Sequence, residues 1–331
     1  MDWSKGFSAS YHMTIVDPVT WRDVERVEIT GGEVSRDPDK LRESASVDCV
    51  DYDIQQERWI RLWLDARQNN DSVHVALFTG LACSPKINIK GTRKEYPLEC
   101  YSVLKPADDI LLERGWYAGE GLSGADVIKD LLSVIPAPVD VDGVPPVLAQ
   151  AIIAEEDETH LSMTDKVLEA MGWRLRISGD GSIMISPPAT EVAATFGMEN
   201  DVVEPSVEIK HDWYKCPNVF RVTCDDQYAI ARDDSDDSFL STINRGREVW
   251  DEDDVDLIDG ETLAECAVRM LKEAQSSAVE VGYDRRYDPA VYVGDLIRLH
   301  YPGSDLDGVY TVTSQSIELG HGAKTSEEVR R

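Results

Sequence analysis

The sequence predicts an α+β protein dominated by β-structure, and three observations support this class. Two regions, 1–105 and 201–320, contain short runs of alternating polar and apolar residues between turn-forming residues, which is the pattern of β-strands. The region between them, 106–200, carries two amphipathic helical patterns. A third helical pattern interrupts the second β-rich region. We therefore expect two related β-barrels, a small α+β domain between them, and a helix–strand insertion in the second barrel.

The first β-rich region, residues 1–105, has its clearest strand at 57–64. A turn is predicted at 68–71, and the alternation returns in a partner strand at 73–77. A further hairpin is predicted across 86–104. Short strands at this regular spacing favour a barrel or a sandwich.

The strand at 57–64 carries an aromatic and cationic stripe. Trp59, Arg61 and Trp63 share one face, because successive side chains of a strand point to opposite sides. The opposite face is aliphatic and holds Ile60, Leu62 and Leu64. If these aliphatic residues fill a barrel, the stripe faces outward, and such residues are enriched in protein interfaces. The stripe is therefore a candidate interface, covered either by another subunit or by a neighbouring domain of the same chain.

The middle region, 106–200, is predicted to be a small α+β domain. A first helix begins at a Ser123 cap, and a proline-rich connection follows it. A second helix begins at a Ser162 cap and ends at Gly172, directly before a hairpin at 173–186.

The second β-rich region is predicted to comprise 201–245 and 289–320. Residues 246–288 are expected to lie between these parts as an inserted helix–strand subdomain, whose helix begins at a cap at 259–260. The polar tail, 321–331, is predicted to be mobile.

The chain is strongly acidic, with a formal net charge of −30 at pH 7. Nonspecific DNA binding is disfavoured, because an acidic surface repels phosphate instead of releasing counterions. Self-repulsion destabilises a compact state, but the Debye length of about 3 Å at about 1 M salt screens it. The composition therefore fits a halophilic host. The alternative is an ordinary acidic protein that uses its charge for solubility.

The sequence contains no catalytic or metal-binding motif. Its six cysteines form no C-x-x-C pair, so reduced and mostly buried thiols are expected. It has no H-E-x-x-H and no G-x-S-x-G, and we interpret His74 and His300 as ordinary strand residues. With 63 acidic residues, pairs of carboxylates arise by chance and do not indicate a glycosidase. No catalytic residue, cofactor or metal ion is predicted.

The chain also lacks an apolar run that could span a bilayer and a signal-peptide pattern, so synthesis in a cytoplasm is expected.

Phrases in three parts of the chain carry a family resemblance. They lie at 17–24, 27–34 and 41–47, at 171–177, 179–181 and 187–188, and at 217–222, 241–247, 287–291, 294–295 and 308–316. In their order and spacing they resemble the baseplate hub, or tail-hub, proteins of tailed phages and related prophage elements, over nearly the whole chain. Together with the acidic composition, the resemblance predicts a tailed virus of a haloarchaeal host.

The resemblance implies a structural role. Hub proteins have two tail-tube-like β-barrels, a small α+β domain between them and an insertion in the second barrel, and three copies form a ring that adapts a sixfold tail tube to a threefold tip. The implied partners are two further copies of this chain, the tail tube or distal tail protein, the tape-measure protein, and tip, spike or fibre proteins. DNA passes through such a ring without specific binding. The implied location is the tail tip of the virion.

Two acidic runs, at 233–237 and 251–256, are candidates for the wall of such a channel. A negative wall would keep DNA from sticking. The candidates are Asp233, Asp234, Asp236, Asp237, Asp251, Glu252, Asp253, Asp254 and Asp256. The alternative is that both runs are solvated loops. They do not match a calcium loop, because anchoring Gly260 at its sixth position puts Val255 and Leu257 where aspartates are needed.

Other functions are considered beside the hub. Another tail-tip component, such as a distal tail or spike protein, is the structural alternative. A tail-associated cell-wall hydrolase is the alternative from a different class. A solute-binding module would need a pocket with converging polar groups, which no spacing in the sequence indicates.

Overall fold

The computed structural model describes residues 1–38, 41–50, 56–85, 87–90, 93–197, 203–211, 213–224, 227–255, 261–276, 279–301 and 306–331. Strands outnumber helices, so the predicted β-dominated α+β class is confirmed. Within these ranges, no helix combines the length and apolar character needed to cross a membrane.

Seven strands make up the first region. They are β1 (Ser8–Asp17), β2 (Arg22–Arg36), β3 (Glu43–Val50), β4 (Arg58–Gln68), β5 (Asp71–Pro85), β6 (Asn88–Lys90) and β7 (Arg93–Ser102). Six of them pair in the order β1-β4-β5-β7-β3-β2, and β2 pairs back onto β1, so the hydrogen-bonded circuit is closed. We call this circuit the N-terminal ring. Its interior is apolar, and Ile60, Leu62 and Leu64 are fully buried there as the alternation predicts.

The middle region forms a compact α+β unit. It contains α1 (Lys105–Asp109), β8 (Tyr117–Ala118), α2 (Gly124–Leu131), β9 (Val139–Val141), β10 (Ile152–Ile153), α3 (His160–Met171), β11 (Arg174–Ile177) and β12 (Ile183–Ser186). Ser123 caps α2 as predicted, and Gly172 ends α3 in the left-handed conformation with φ 62°. The cap of α3 is Thr159 and not Ser162. Ser162 takes the third helical position of a capping box, and its Oγ accepts a hydrogen bond from the Thr159 backbone N–H at 2.9 Å.

The remaining elements are β13 (Val192–Gly197), β14 (Val203–His211), β15 (Val219–Cys224), β16 (Gln227–Arg232), α4 (Thr242–Arg245), β17 (Trp250–Asp254), α5 (Leu263–Ser276), β18 (Val279–Arg286), β19 (Leu296–His300), β20 (Gly308–Glu318) and β21 (Lys324–Arg330). Six of these strands pair in the order β14-β18-β21-β20-β19-β13, which we call the second sheet. β20 also pairs with β2, so the second sheet and the N-terminal ring are one continuous hydrogen-bonded surface.

The inserted unit differs from its predicted extent. β15 and β16, which we expected in the second β-domain, pair with β17 in a separate three-stranded sheet. The reason is packing: Phe220 and Val222 on β15 cover the apolar side of α5, where Cys266 and Leu271 are buried. β18, which we expected inside the insertion, joins the second sheet instead. The predicted helix cap at 259–260 lies outside the described residues.

The C-terminal segment also differs from prediction. Residues 321–331 were expected to form a mobile tail, but β21 occupies most of this segment and pairs with β18 on one side and β20 on the other. Thr325, Glu327 and Val329 are buried. The segment looks polar in sequence because Glu327 is paired inside the protein, whereas the alternate residues of the strand face outward.

Candidate functional site

The predicted interface stripe on β4 is partly covered by the same chain. Arg61 is only 6% exposed. Its guanidinium donates to Thr79 Oγ1 at 2.9 Å, to Asp23 Oδ1 at 2.8 Å and to the Asp180 carbonyl at 3.0 Å. Asp180 lies in the turn between β11 and β12. This turn of the α+β unit therefore packs against the outer face of the N-terminal ring.

Aromatic packing completes this intrachain contact. The rings of Trp21 and Trp59 meet edge to face at 5.5 Å, and both pack against the core of the α+β unit. The Trp21 indole N–H donates to the Asp180 carbonyl at 3.0 Å, and Thr79 Oγ1 donates to the Gly179 carbonyl at 2.8 Å. For Trp59 and Arg61, the covering surface is therefore a neighbouring domain of the same chain.

Trp63, the third residue of the stripe, belongs to a different cluster. Its ring stacks on His74 of β5 at 3.9 Å, and its indole N–H donates to Thr14 Oγ1 at 3.1 Å. Beside this stack, Asp65 lies between two histidines: its Oδ1 is 2.6 Å from His74 Nδ1 and its Oδ2 is 3.1 Å from His12 Nδ1.

The sequence contains no motif that marks this cluster. His74 is an ordinary strand residue by its pattern, and the sequence predicts no role for His12 or Asp65. The register of three strands brings the side chains together, since β4 lies between β1 and β5. The alternation on β4 indicates that Asp65 shares a face with Trp63, but it says nothing about the neighbouring strands.

The first acidic run lies in the loop after β16. Asp233 accepts hydrogen bonds from Ser235, Ser238 and Gln275. Burial would raise the pKa of the Asp233 carboxyl, but these hydrogen bonds outweigh it and hold the pKa below its ordinary value. Asp234 accepts from Thr242. The remaining candidates of this run, Asp236 and Asp237, are exposed. The hydrogen bonds of Asp233 and Asp234 therefore hold together the loop that leads into α4.

The second acidic run is an exposed strand. β17 runs parallel to β15 and carries Asp251, Glu252, Asp253 and Asp254, all exposed. Glu252 pairs with Arg221 on β15. The last candidate, Asp256, lies outside the described residues.

A buried polar network joins the two large β-units. Arg36 on β2 donates to the Leu77 carbonyl at 2.6 Å and to Gln315 Oε1 at 3.3 Å. Gln315 on β20 donates in turn to Glu327 Oε1 at 2.6 Å. Glu327 pairs with Arg285 of β18, and both side chains are fully buried. Buried charges of this kind are costly unless they are paired, so the network favours one relative position of the ring and the second sheet.

A cleft of about 380 Å³ lies where the α+β unit meets the second sheet. Arg174 and Arg176, which line it, are 3.1 and 3.6 Å from the Asp295 carboxylate, and Arg176 also lies over the Tyr292 ring at 3.7 Å. These cationic groups are therefore engaged within the chain, at the seam between the α+β unit and the second sheet.

Comparison with solved structures finds the same fold in tail proteins. The tail protein from Neisseria meningitidis MC58 superposes with a TM-score of 0.72 at 13% identity, over 98% of this chain and 96% of that one. The 43 kDa tail protein of prophage MuSo2 from Shewanella oneidensis gives 0.72 at 12% identity, over 98% and 97%. Prophage tail protein gp18 from Listeria monocytogenes EGD-e gives 0.59 at 9% identity, over 97% and 94%.

The sequence itself is distant from known families. No protein-family model matches it, and neither does any curated protein. The likeness to the three tail proteins is therefore one of fold, and it extends over 97–98% of this chain and 94–97% of theirs.

Proposed function

We propose that this chain is the structural hub of a tailed virus, acting as a homotrimeric ring at the distal end of the tail. The observation that carries the proposal is the likeness over almost the entire length of this chain and of two solved tail proteins, at a TM-score of 0.72. If an unrelated protein had only one β-unit in common with tail proteins, the structural similarity would cover only that part of the chain.

The proposed mechanism is mechanical. In this proposal the N-terminal ring and the second sheet correspond to the two tail-tube-like units of each subunit, and each contains six principal strands. Three subunits then present six similar edges to a sixfold tube, so the symmetry closes without a new type of interface. The β2–β20 pairing and the buried Arg36–Gln315–Glu327 network support this role, because they join both units of a subunit into one rigid adapter.

Partners follow from this position. The hub binds the tail tube or distal tail protein on one side and tip, spike or fibre proteins on the other, and it holds the end of the tape-measure protein. DNA leaves through a channel whose wall carries net negative charge. The exposed carboxylates of β17 are the best placed candidates for that wall, because four consecutive residues present acid from one strand.

A reconstruction of the virus particle tests the proposal. We expect three copies of the chain in a ring at the tail tip. One or six copies per tail would refute the adapter role, and a position in the outer fibres would favour the alternative tail-tip components. If β17 lies on the outer surface of the ring, its assignment to the channel fails while the hub assignment stands.

The enzymatic alternative has its own test. A tail-associated hydrolase would release soluble fragments from purified host envelope, whereas a structural hub would release none. Turnover by the purified chain that survives a further purification step would overturn the structural assignment.

A further inference from the structure

Three adjacent strands of the N-terminal ring bring two histidines and one carboxylate to a single point. Asp65 on β4 lies directly opposite His74 on β5, and His12 on β1 is diagonal to Asp65 because Asp65 pairs with Ser10. One ligand atom from each of the three side chains lies within 4.8 Å of the others. The cluster is on the outer face of the ring, away from the aliphatic core.

The chemistry of these donors suits a divalent transition metal. Two imidazole nitrogens and one carboxylate oxygen are a common zinc ligand set, and a fourth position is then filled by water or by another side chain. Tetrahedral zinc with bonds of about 2.0–2.1 Å places its ligand atoms about 3.3 Å apart. The 3.1 Å between His12 Nδ1 and Asp65 Oδ2 is already close to that spacing. The His74 and Asp65 side chains are both partly exposed, and small rotations of them would bring the third ligand atom to the same spacing.

An orphaned buried atom points to the same conclusion independently. His12 is 4% exposed, and its Nδ1 makes no well-aligned hydrogen bond within the described part of the chain, although Asp65 is nearby. Burial, reinforced by the charge of Arg26, lowers the pKa of the His12 imidazole despite the opposing effect of Asp65.

The surroundings hold the ligands in place. Trp63 stacks on His74 and is itself fixed by Thr14, so the orientation of the His74 ring is restricted. The His74 side chain is 49% exposed, which leaves a path for an ion from solvent. Glu28 on β2 lies directly opposite His12 in the register and is available as a fourth ligand if it leaves its 3.1 Å ion pair with Arg26.

We propose that His12, Asp65 and His74 bind one divalent transition-metal ion of the zinc class on the outer face of the N-terminal ring. The ion joins β1, β4 and β5 at one point and so stabilises the ring. The proposal is independent of the hub function, because it concerns the chain alone.

Titration of the metal-free full-length chain tests the site. Zn²⁺ binding is followed by calorimetry and Co²⁺ binding by visible absorption, in about 0.5 M NaCl with excess Mg²⁺, so that exposed carboxylates are screened and occupied. We expect one ion per chain, the intense visible bands of four-coordinate Co²⁺, and a higher melting midpoint with Zn²⁺. Structural zinc sites have a Kd far below about 100 μM. If the chain shows no saturable one-to-one binding at Zn²⁺ concentrations up to about 100 μM, the proposal is overturned.

Variants separate this site from the general acidity of the protein. His74→Gln and Asp65→Asn should each weaken Zn²⁺ binding at least about tenfold, which is the low end of the loss caused by changes around a metal. His300→Gln is the matched control, since the His300 side chain is 45% exposed and its Nδ1 is 3.3 Å from Asp307 Oδ2. Equal binding by the wild type and both site variants, or an equal loss in the control, would contradict the site. Circular dichroism establishes that each variant is folded.

Discussion

At the scale of single residues, the most consequential groups are ionisable side chains buried between the two β-units. Glu43 on β3 is 3% exposed, and its nearest charge is Arg36, with Arg36 Nε and Glu43 Oε2 3.7 Å apart. Glu43 Oε1 makes no hydrogen bond within the described residues. Burial raises the pKa of the Glu43 carboxyl to about 8, although Arg36 opposes the shift.

This shift predicts a pH dependence of stability. A carboxyl whose pKa is higher in the folded protein holds its proton more tightly there, so its contribution is complete below the unfolded pKa near 4.5 and is lost as pH rises to about 8. Glu43→Gln should remove this loss, which is on the order of a few kcal/mol. Thermal melts from pH 4.5 to 8 measure it.

The control for this prediction is Glu25→Gln, which removes an exposed carboxylate from the neighbouring strand β2. Its melting midpoint should follow the wild type across the pH range. If Glu43→Gln and wild type lose stability in parallel as pH rises, Glu43 is ionised in the folded protein throughout and the predicted shift is wrong.

At the scale of elements, the docking of the α+β unit depends on one tight turn. The turn between β11 and β12 carries Gly179 and Asp180, and it contacts β5 and Arg61 through backbone carbonyls. A Cβ atom on Gly179 would lie 1.9 Å from the Ala76 carbonyl oxygen, which belongs to the backbone of β5 and has little freedom to move. Only glycine allows this approach.

Gly179→Ala should therefore separate the turn from β5. We expect a loss of about 1–3 kcal/mol or more, typical of overpacking. The tryptophan emission should also shift to longer wavelength as Trp21 and Trp59 become solvated. Thermal melts and fluorescence measure the two effects. Gly119→Ala is the matched control, because a Cβ atom there meets nothing within 4 Å. Identical melts for the two variants would show that the turn is not closely docked.

At the scale of the whole molecule, repulsion between acidic groups destabilises the fold, whereas the continuous β-sheet holds its parts together. The chain carries −30 in a single connected structure, because β2 and β20 join the ring to the second sheet. Self-repulsion is therefore spread over the entire fold and is not confined to one loop. On β17, for example, four consecutive acidic residues are exposed to solvent, and one of them, Glu252, is paired with Arg221.

The melting midpoint should consequently rise with salt. From about 0.05 M to about 2 M NaCl the Debye length falls from above 10 Å to below 3 Å, so repulsion between surface carboxylates is progressively screened. A melt series in NaCl measures the effect. KCl should act alike, because screening depends on ionic strength. A midpoint that stays constant would indicate an ordinary acidic protein and remove the halophilic interpretation.

The sequence by itself determined the class of the protein and the local features of its elements. The alternation at Ile60, Leu62 and Leu64 placed the core face of β4, and the caps at Ser123 and Gly172 marked the ends of two helices. These features are local: side-chain direction has a period of two in a strand, and a cap is a hydrogen bond between near neighbours.

Only the tertiary structure decided which strands pair and which side chains meet. β15 and β16 pair with each other and pack against α5 instead of joining the second sheet, whereas β21 is part of that sheet. The side chains of His12, Asp65 and His74 lie close together. Each of these outcomes depends on contacts between distant parts of the chain, such as Arg36 with Gln315, which are 279 residues apart. A periodic pattern specifies the face that a strand buries but not its partner, because many apolar strands can cover the same surface and the best packing of the whole chain selects among them.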